Sequence, residues 1–152
     1  RLLAAGVGDC WQLARVFRDG ERGRLHSPEF DLLEWYRVGL DHHALMDEVA
    51  TLVHRVVEPE RPVPDVSKLT YRAAFVEHAG IDPLEADTAQ LRRAADALGV
   101  PVSGLGEGER EDWLDALLAT AVVPALPRER LVFVHDWPAP QAALARLAPH
   151  DP

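Results

Sequence analysis

The sequence predicts an α+β chain, with strands towards its two ends and helices between them. Three observations carry that expectation. Near the start, two runs rich in apolar and aromatic residues flank a loop of glycines, arginines and a proline. The middle repeats its apolar residues at helical spacing and carries capping signals. A short apolar run returns near the end. At 152 residues the chain is long enough for one domain with a real core.

The elements follow in order. "CWQLARVFR", residues 10–18, reads as a strand with imperfect alternation. "DGERGRLHSPE", residues 19–29, is a loop punctuated by Gly20, Gly23 and Pro28. "FDLLEWYRV", residues 30–38, is the returning strand, so residues 10–38 are expected to form a long antiparallel hairpin. Asp41 can cap a helix in which Leu45, Val49, Leu52, Val53 and Val56 recur on one face. "PERPVP", residues 59–64, breaks that pattern and reads as a short linker. A helix is expected over 71–78. Another opens on Asp87 and Gln90 in capping-box spacing and stops at Gly99. "VSGLGEGE" is a solvated loop. Residues 109–122 form a helix with Trp113, Leu114, Leu117, Leu118 and Ala121 on one stripe, which reads as core packing. "LVFVHDWP", residues 131–138, is a short buried strand. A helical block over 41–122 thus lies between two strand-bearing ends.

Composition bounds the function. Hydrophobic residues make up 47% and charged residues 27%, the balance of an ordinary globular protein. No apolar run reaches the ~20 residues of a membrane span, and no signal peptide is visible. One cysteine, Cys10, excludes an internal disulfide, and a cytoplasmic home is expected. Cys10 adjoins Trp11 and reads as a buried structural thiol. The net charge of −9 argues against a protein that lives by gripping nucleic-acid phosphates. The chain starts at Arg1 inside what reads as a helix end, "RLLAAG", and stops at "APHDP"; it is expected to be a piece of a longer protein.

Several small motifs carry no chemistry. His42 and His43 are adjacent and do not share a helix face, so they read as a solvated first turn. His135 and Asp136 beside Trp137 read as a strand end with a core histidine. "GVGDCW" and "GLGEGE" lack the full dinucleotide fingerprint, and no P-loop, HExxH or GxSxG is present.

The chemistry concentrates in "FRDGERGRLHSPEFDLLEWY", residues 17–36. Strand alternation puts Phe30, Leu32, Glu34 and Tyr36 on one face, and Asp31, Leu33, Trp35 and Arg37 on the other. A ring, a carboxylate and a phenol in line could stack a flat base and hold an ammonium. Arg18, Arg22, Arg24 and His26 lie in or beside the preceding loop, and arginine suits bidentate phosphate binding. The same pattern also describes a solvated, charged hairpin at a sheet edge.

The stretch resembles motif 2 of class II aminoacyl-tRNA synthetases in its lysine-specific form. It is most similar to the truncated lysyl-tRNA-synthetase-like family called GenX or PoxA, the elongation factor P (EF-P) β-lysine ligases. "LMDEV", "IDPLEAD" and "FVHDWPAPQAALA" extend the resemblance over nearly the whole chain. It implies an antiparallel sheet flanked by helices. It also implies ATP-dependent activation of (R)-β-lysine or lysine as an adenylate, followed by transfer to a lysine of EF-P. Arg18 looks like the catalytic arginine that holds the ATP α-phosphate and the amino-acid carboxylate. Asp19, Gly20 and Glu21 match ATP-contacting positions. His26 and Ser27 match the His-Asn pair near the triphosphate and adenine, and Phe30 matches the ring under adenine. Glu34 and Tyr36 match the pair that recognises the substrate's distal amine.

Three residues depart from the family pattern. Gly20 stands where lysyl enzymes have glutamate, Ser27 replaces asparagine, and Asp31 replaces threonine on the opposite face. The resemblance further implies Mg²⁺ with its ligands outside this chain, motifs 1 and 3 outside it too, and possible dimerisation of the longer protein. The chain alone is then expected to make no adenylate. Two other readings stand beside this one: a lysyl-tRNA synthetase delivering to tRNA, and a non-catalytic paralogue that binds ATP or an amino acid.

Overall fold

The computed structural model describes residues 1–20, 22–23, 26–57, 65–101, 108–141, 143 and 145–148. Glu21, Arg24, the expected linker over 59–64 and most of the "VSGLGEGE" loop lie outside the described residues. The chain divides into two compact units, Arg1–Val53 and His54–Pro152. Among the described residues, no helix is long and apolar enough to cross a membrane.

The first unit is built on the hairpin. Strand β1, Cys10–Phe17, pairs antiparallel with β2, Glu29–Tyr36, from Cys10 opposite Tyr36 to Phe17 opposite Glu29. Ion pairs reinforce the ladder. Arg15 meets Asp31 at 2.7 Å and Glu29 at 2.6 Å. Arg37 meets Asp9 at 3.0 Å and Glu48 at 2.8 Å. All are at least partly solvated, where such pairs add little to stability. Asp9 also accepts from the Val38 backbone N–H, the main cause of its carboxyl lying below the usual range. Helix α1, His42–Val57, begins where Asp41 accepts from the Ala44 N–H at 2.8 Å, so the expected cap is present. Met46 and Ala50 lie on its buried side.

The second unit holds a helical core beside a two-stranded sheet. Strand β3, Val66–Thr70, runs parallel to β4, Leu131–His135, with Val66 opposite Leu131 and Thr70 opposite His135. The sequence reading did not anticipate β3. Its partner lies about sixty residues away, and a parallel pair needs a long crossover. β4 was expected to be buried but is half-buried along its length, as suits one member of a two-stranded sheet.

The crossover supplies helices. In α2, Tyr71–Ala79, Thr70 Oγ1 accepts from the Ala73 N–H at 3.1 Å, and Gly80 closes the helix at φ 67°. In α3, Thr88–Ala97, Asp87 accepts from the Gln90 N–H at 2.7 Å while Gln90 accepts from the Asp87 N–H at 2.9 Å, a complete capping box. Beyond it, the Val100 N–H reaches the Ala95 carbonyl with Gly99 at φ 67°.

Helix α4, Arg110–Leu117, follows, and Arg110 donates from Nε to the Ala86 carbonyl at 3.0 Å. The expected single helix over 109–122 widens at its end into a π turn, Leu118–Val122, before α5, Val123–Ala125. Pro124 explains the widening. It lacks an N–H, and its ring would strike the carbonyl four residues back in a regular α-helix. Instead the Val123 N–H reaches the Leu118 carbonyl. Tyr71, Ala74, Phe75, Leu91, Ala95, Leu114, Leu117 and Val122 are wholly buried and form the centre of the core. The Trp113 stripe therefore packs as expected, with Leu118 and Ala121 partly buried at its edge.

Candidate functional site

The register decides which side chains of the hairpin share a face. Phe30 lies opposite Val16, Leu32 opposite Ala14, Glu34 opposite Gln12, and Tyr36 opposite Cys10. Phe30, Leu32 and Glu34 are half-buried and Tyr36 is exposed. Arg18, two residues beyond Val16, belongs to the same face. Its backbone N–H donates to the Pro28 carbonyl at 2.9 Å, which extends the ladder by one step.

Two contacts tie this face together. The Arg18 guanidinium lies 5.3 Å from the centre of the Phe30 ring, within cation–π range. The Tyr36 hydroxyl donates to Glu34 Oε1 at 3.5 Å, a weak bond that leaves the carboxylate able to take a better donor. The face therefore offers a guanidinium beside a ring at one end and a carboxylate beside a phenol at the other. The first pair suits a phosphate next to a flat base; the second suits an ammonium. A base stacking on the covered side of Phe30 would shift the guanidinium, and an anion beside the base would draw it.

The loop positions are less closely held. Asp19 accepts from the Gly20 N–H at 2.9 Å, and Gly20 turns at φ 79°, a conformation that favours glycine. His26 exchanges both main-chain bonds with Gly23 at 3.2 Å and is exposed, as is Ser27. The structure thus brings Arg18 to Phe30 and Glu34 to Tyr36, and places Asp19, Gly20, His26 and Ser27 in the connecting loop. Glu21 lies outside the described residues.

Magnesium finds no ligand set on the strands of this face. Glu34 is the only carboxylate among those strand residues, and it already meets Tyr36. Mg²⁺ keeps several waters and takes one or two carboxylates together with substrate phosphates, so Glu34 by itself does not fix where the ion would sit. Arg18 is the cation that this face offers to a phosphate.

The opposite face has a different character. Arg15 bridges Glu29 and Asp31, which accounts for an acid where the family pattern has threonine. Trp11, Leu13 and Phe17 are 73%, 62% and 72% exposed, so this side offers apolar area, not chemistry. Cys10 is half-buried on the Glu34 face, opposite Tyr36, not fully buried as its sequence context implied. Sequence reasoning also passed over Gln12, which the register sets directly across from Glu34. Only the pairing reveals it, because β1 alternates too imperfectly to name its own face.

In the second unit, His135 is largely enclosed at the end of β4, with Nδ1 3.0 Å from an Asp136 carboxylate oxygen. Tyr71 is stacked on Phe75 at 4.6 Å, and burial holds its hydroxyl well above the usual phenol range.

Comparison with known proteins agrees with the hairpin's character. A family model described as tRNA synthetases class II (D, K and N) matches residues 1–152. Among similar curated proteins is an "Elongation factor P--(R)-beta-lysine ligase" from Vibrio cholerae serotype O1, 42% identical over 152 residues, which are 100% of this chain and 46% of that protein. A protein of the same name from Edwardsiella ictaluri is 44% identical over 151 residues, 99% of this chain and 45% of that protein. Another, from Vibrio vulnificus, is 42% identical over 152 residues, again 100% of this chain and 46% of the relative. The chain therefore spans under half the length of these relatives. On a match that runs from its first residue to its last, the chain belongs to the class II tRNA synthetases of the D, K and N group.

Proposed function

We propose that the protein carrying this chain activates a lysine-type amino acid, (R)-β-lysine or lysine, with ATP and passes it to a lysine of elongation factor P. The observation that carries the reading is the single face holding Arg18 against Phe30 and Glu34 against Tyr36. The names of the relatives supply the acceptor.

In the proposed reaction, a carboxylate oxygen of the amino acid attacks the ATP α-phosphorus. The bond to the β-phosphate breaks, leaving an aminoacyl-adenylate and pyrophosphate. An amine of elongation factor P then attacks the acyl carbon. An amide forms, AMP leaves with the bonding electrons, and the amine's proton passes to solvent. Such chemistry rests on positioning and charge neutralisation. Arg18 holds the α-phosphate and the amino-acid carboxylate together. Phe30 carries the adenine. Asp19, Gly20, Glu21, His26 and Ser27 line the loop around the nucleotide. Glu34 and Tyr36 fix the distal ammonium, so the ligand's own charge compensates the acid set in an apolar strand. Ligands outside this chain would hold Mg²⁺, which would supply further neutralisation of phosphate charge. In this reading the chain is part of a catalytic domain whose motifs 1 and 3 lie elsewhere in a cytoplasmic protein that can dimerise.

The family's description favours one second reading, transfer of the activated lysine to tRNA. Both readings share the activation step and part at the acceptor. Purified elongation factor P and lysine tRNA, offered separately with labelled amino acid, distinguish them.

Glu34→Gln in the intact protein tests the shared step. Removing a charge-assisted pair that ligand binding desolvates costs about 2–5 kcal/mol, on the order of 30-fold or more in kcat/KM. Pyrophosphate exchange driven by lysine and by (R)-β-lysine should weaken by that factor while the KM for ATP holds. Unchanged kinetics with both amino acids would sink the assignment.

A further inference from the structure

We infer that Gln12 is a specificity-determining residue, the third acceptor for the substrate's distal ammonium; this rests on the role proposed for Glu34 and Tyr36. Gln12 is directly opposite Glu34 in the β1–β2 register, on the face that carries Arg18 and Phe30. Side chains facing each other across an antiparallel pair start about 4.5–5.5 Å apart at Cβ, well within the reach of a glutamine carboxamide.

The chemistry asks for such a group. An ammonium carries three N–H donors and no acceptor. Glu34 takes one. Tyr36 donates its own proton weakly towards Glu34 and keeps its lone pairs for a second. The remaining strand residues of the face are Cys10, Ala14, Val16, Phe30 and Leu32, none of which offers a strong acceptor. Gln12 Oε1 does, and its Nε2 can donate to Glu34 at the same time. A neutral carboxamide also leaves one charge to balance one charge, which a second acid would not. Three acceptors around one point favour an ammonium over a hydroxyl, because a hydroxyl brings a single donor.

The test uses the intact protein in pyrophosphate exchange with lysine, (R)-β-lysine and 6-hydroxynorleucine, in which a hydroxyl replaces the distal amine. Gln12→Met keeps the length and removes the acceptor; Gln12→Asn keeps a neutral carboxamide acceptor one methylene shorter. Gln12 is exposed, so both variants should fold, and matching melting temperatures would establish it. The methionine variant should raise KM for both amines by about three- to tenfold, leave the KM for ATP in place, and narrow the preference for lysine over the hydroxy analogue. The asparagine variant, whose neutral carboxamide still accepts, should lose less than the methionine variant. An unchanged amine KM in Gln12→Met, alongside a raised one in Glu34→Gln, would overturn the role of Gln12 alone. An unchanged KM in both would remove the amine site itself and Gln12 with it.

Discussion

The two units of the chain are stabilised in opposite ways. Neither strand of the hairpin contains a buried residue along its sixteen positions. The core of the second unit, by contrast, gathers twelve buried side chains among the described residues, Trp113, Phe75 and Leu114 included. The hairpin relies on its main-chain ladder and on solvated ion pairs at Arg15 and Arg37. The helical unit relies on excluded water and close packing. A surface meant to meet a ligand must keep its polar groups reachable, and a core must not. The contrast predicts that substitutions in the hairpin register in chemistry, and substitutions in the helical unit register in stability.

The largest expected effect sharpens the first half of that contrast. Arg18→Lys keeps the charge but loses the planar fork that, in the proposed role, would span phosphate and carboxylate. Adenylate formation in the intact protein should fall by two to three orders of magnitude, about 3–4 kcal/mol, the scale of losing a transition-state donor. The melting temperature should not move. A lysine variant with near-normal exchange would make Arg18 a surface charge.

The second effect addresses the other half. Leu114→Ala opens a cavity in a wholly buried site and should cost about 3 kcal/mol in denaturant unfolding. Leu13→Ala, at a position 62% exposed on the hairpin, should stay within about 0.5 kcal/mol. Equal losses at the two positions would break the comparison, since they would place the hairpin inside a core of its own.

A smaller effect tests local sequence signals in the helical unit. Asp87→Ala removes one half of the capping box and should destabilise by about 1 kcal/mol, while Asp87→Asn should recover most of it. A null result for alanine would mean that packing alone holds α3.

The smallest is a pH effect. Burial pushes the Asp82 carboxyl up, but Arg72 and the Leu84 backbone N–H outweigh it and hold the group below its usual range. A lowered folded-state value means stability that is fully present above the unfolded value near 3.8 and is lost as pH falls through the folded one. Unfolding midpoints followed from pH 5 downwards should therefore drop less in Asp82→Asn than in the parent. Parallel curves would remove Asp82 from the acid response.

Much of this was legible before any coordinates. The capping box at Asp87 and Gln90, the stop at Gly99 and the cap at Asp41 are local devices, complete within four or five residues, and sequence shows them directly. The hairpin was legible because a loop rich in glycine separates two apolar runs. The candidate site was legible through Arg18, Phe30, Glu34 and Tyr36, whose order and spacing carry the family resemblance. The face shared by Phe30, Glu34 and Tyr36 follows from alternation within a single strand.

What the sequence by itself determined, then, is whatever depends on neighbours along the chain: caps, turns, the alternation of β2 and the motif it spells. Tertiary structure alone decided what depends on distant partners. The five residues of β3 become a strand because β4 lies parallel beside them, a pairing whose loop-closure cost no local pattern announces. Gln12 comes opposite Glu34 only through the register, because a slip of one residue would turn it to the other face and bring Trp11 or Leu13 in its place.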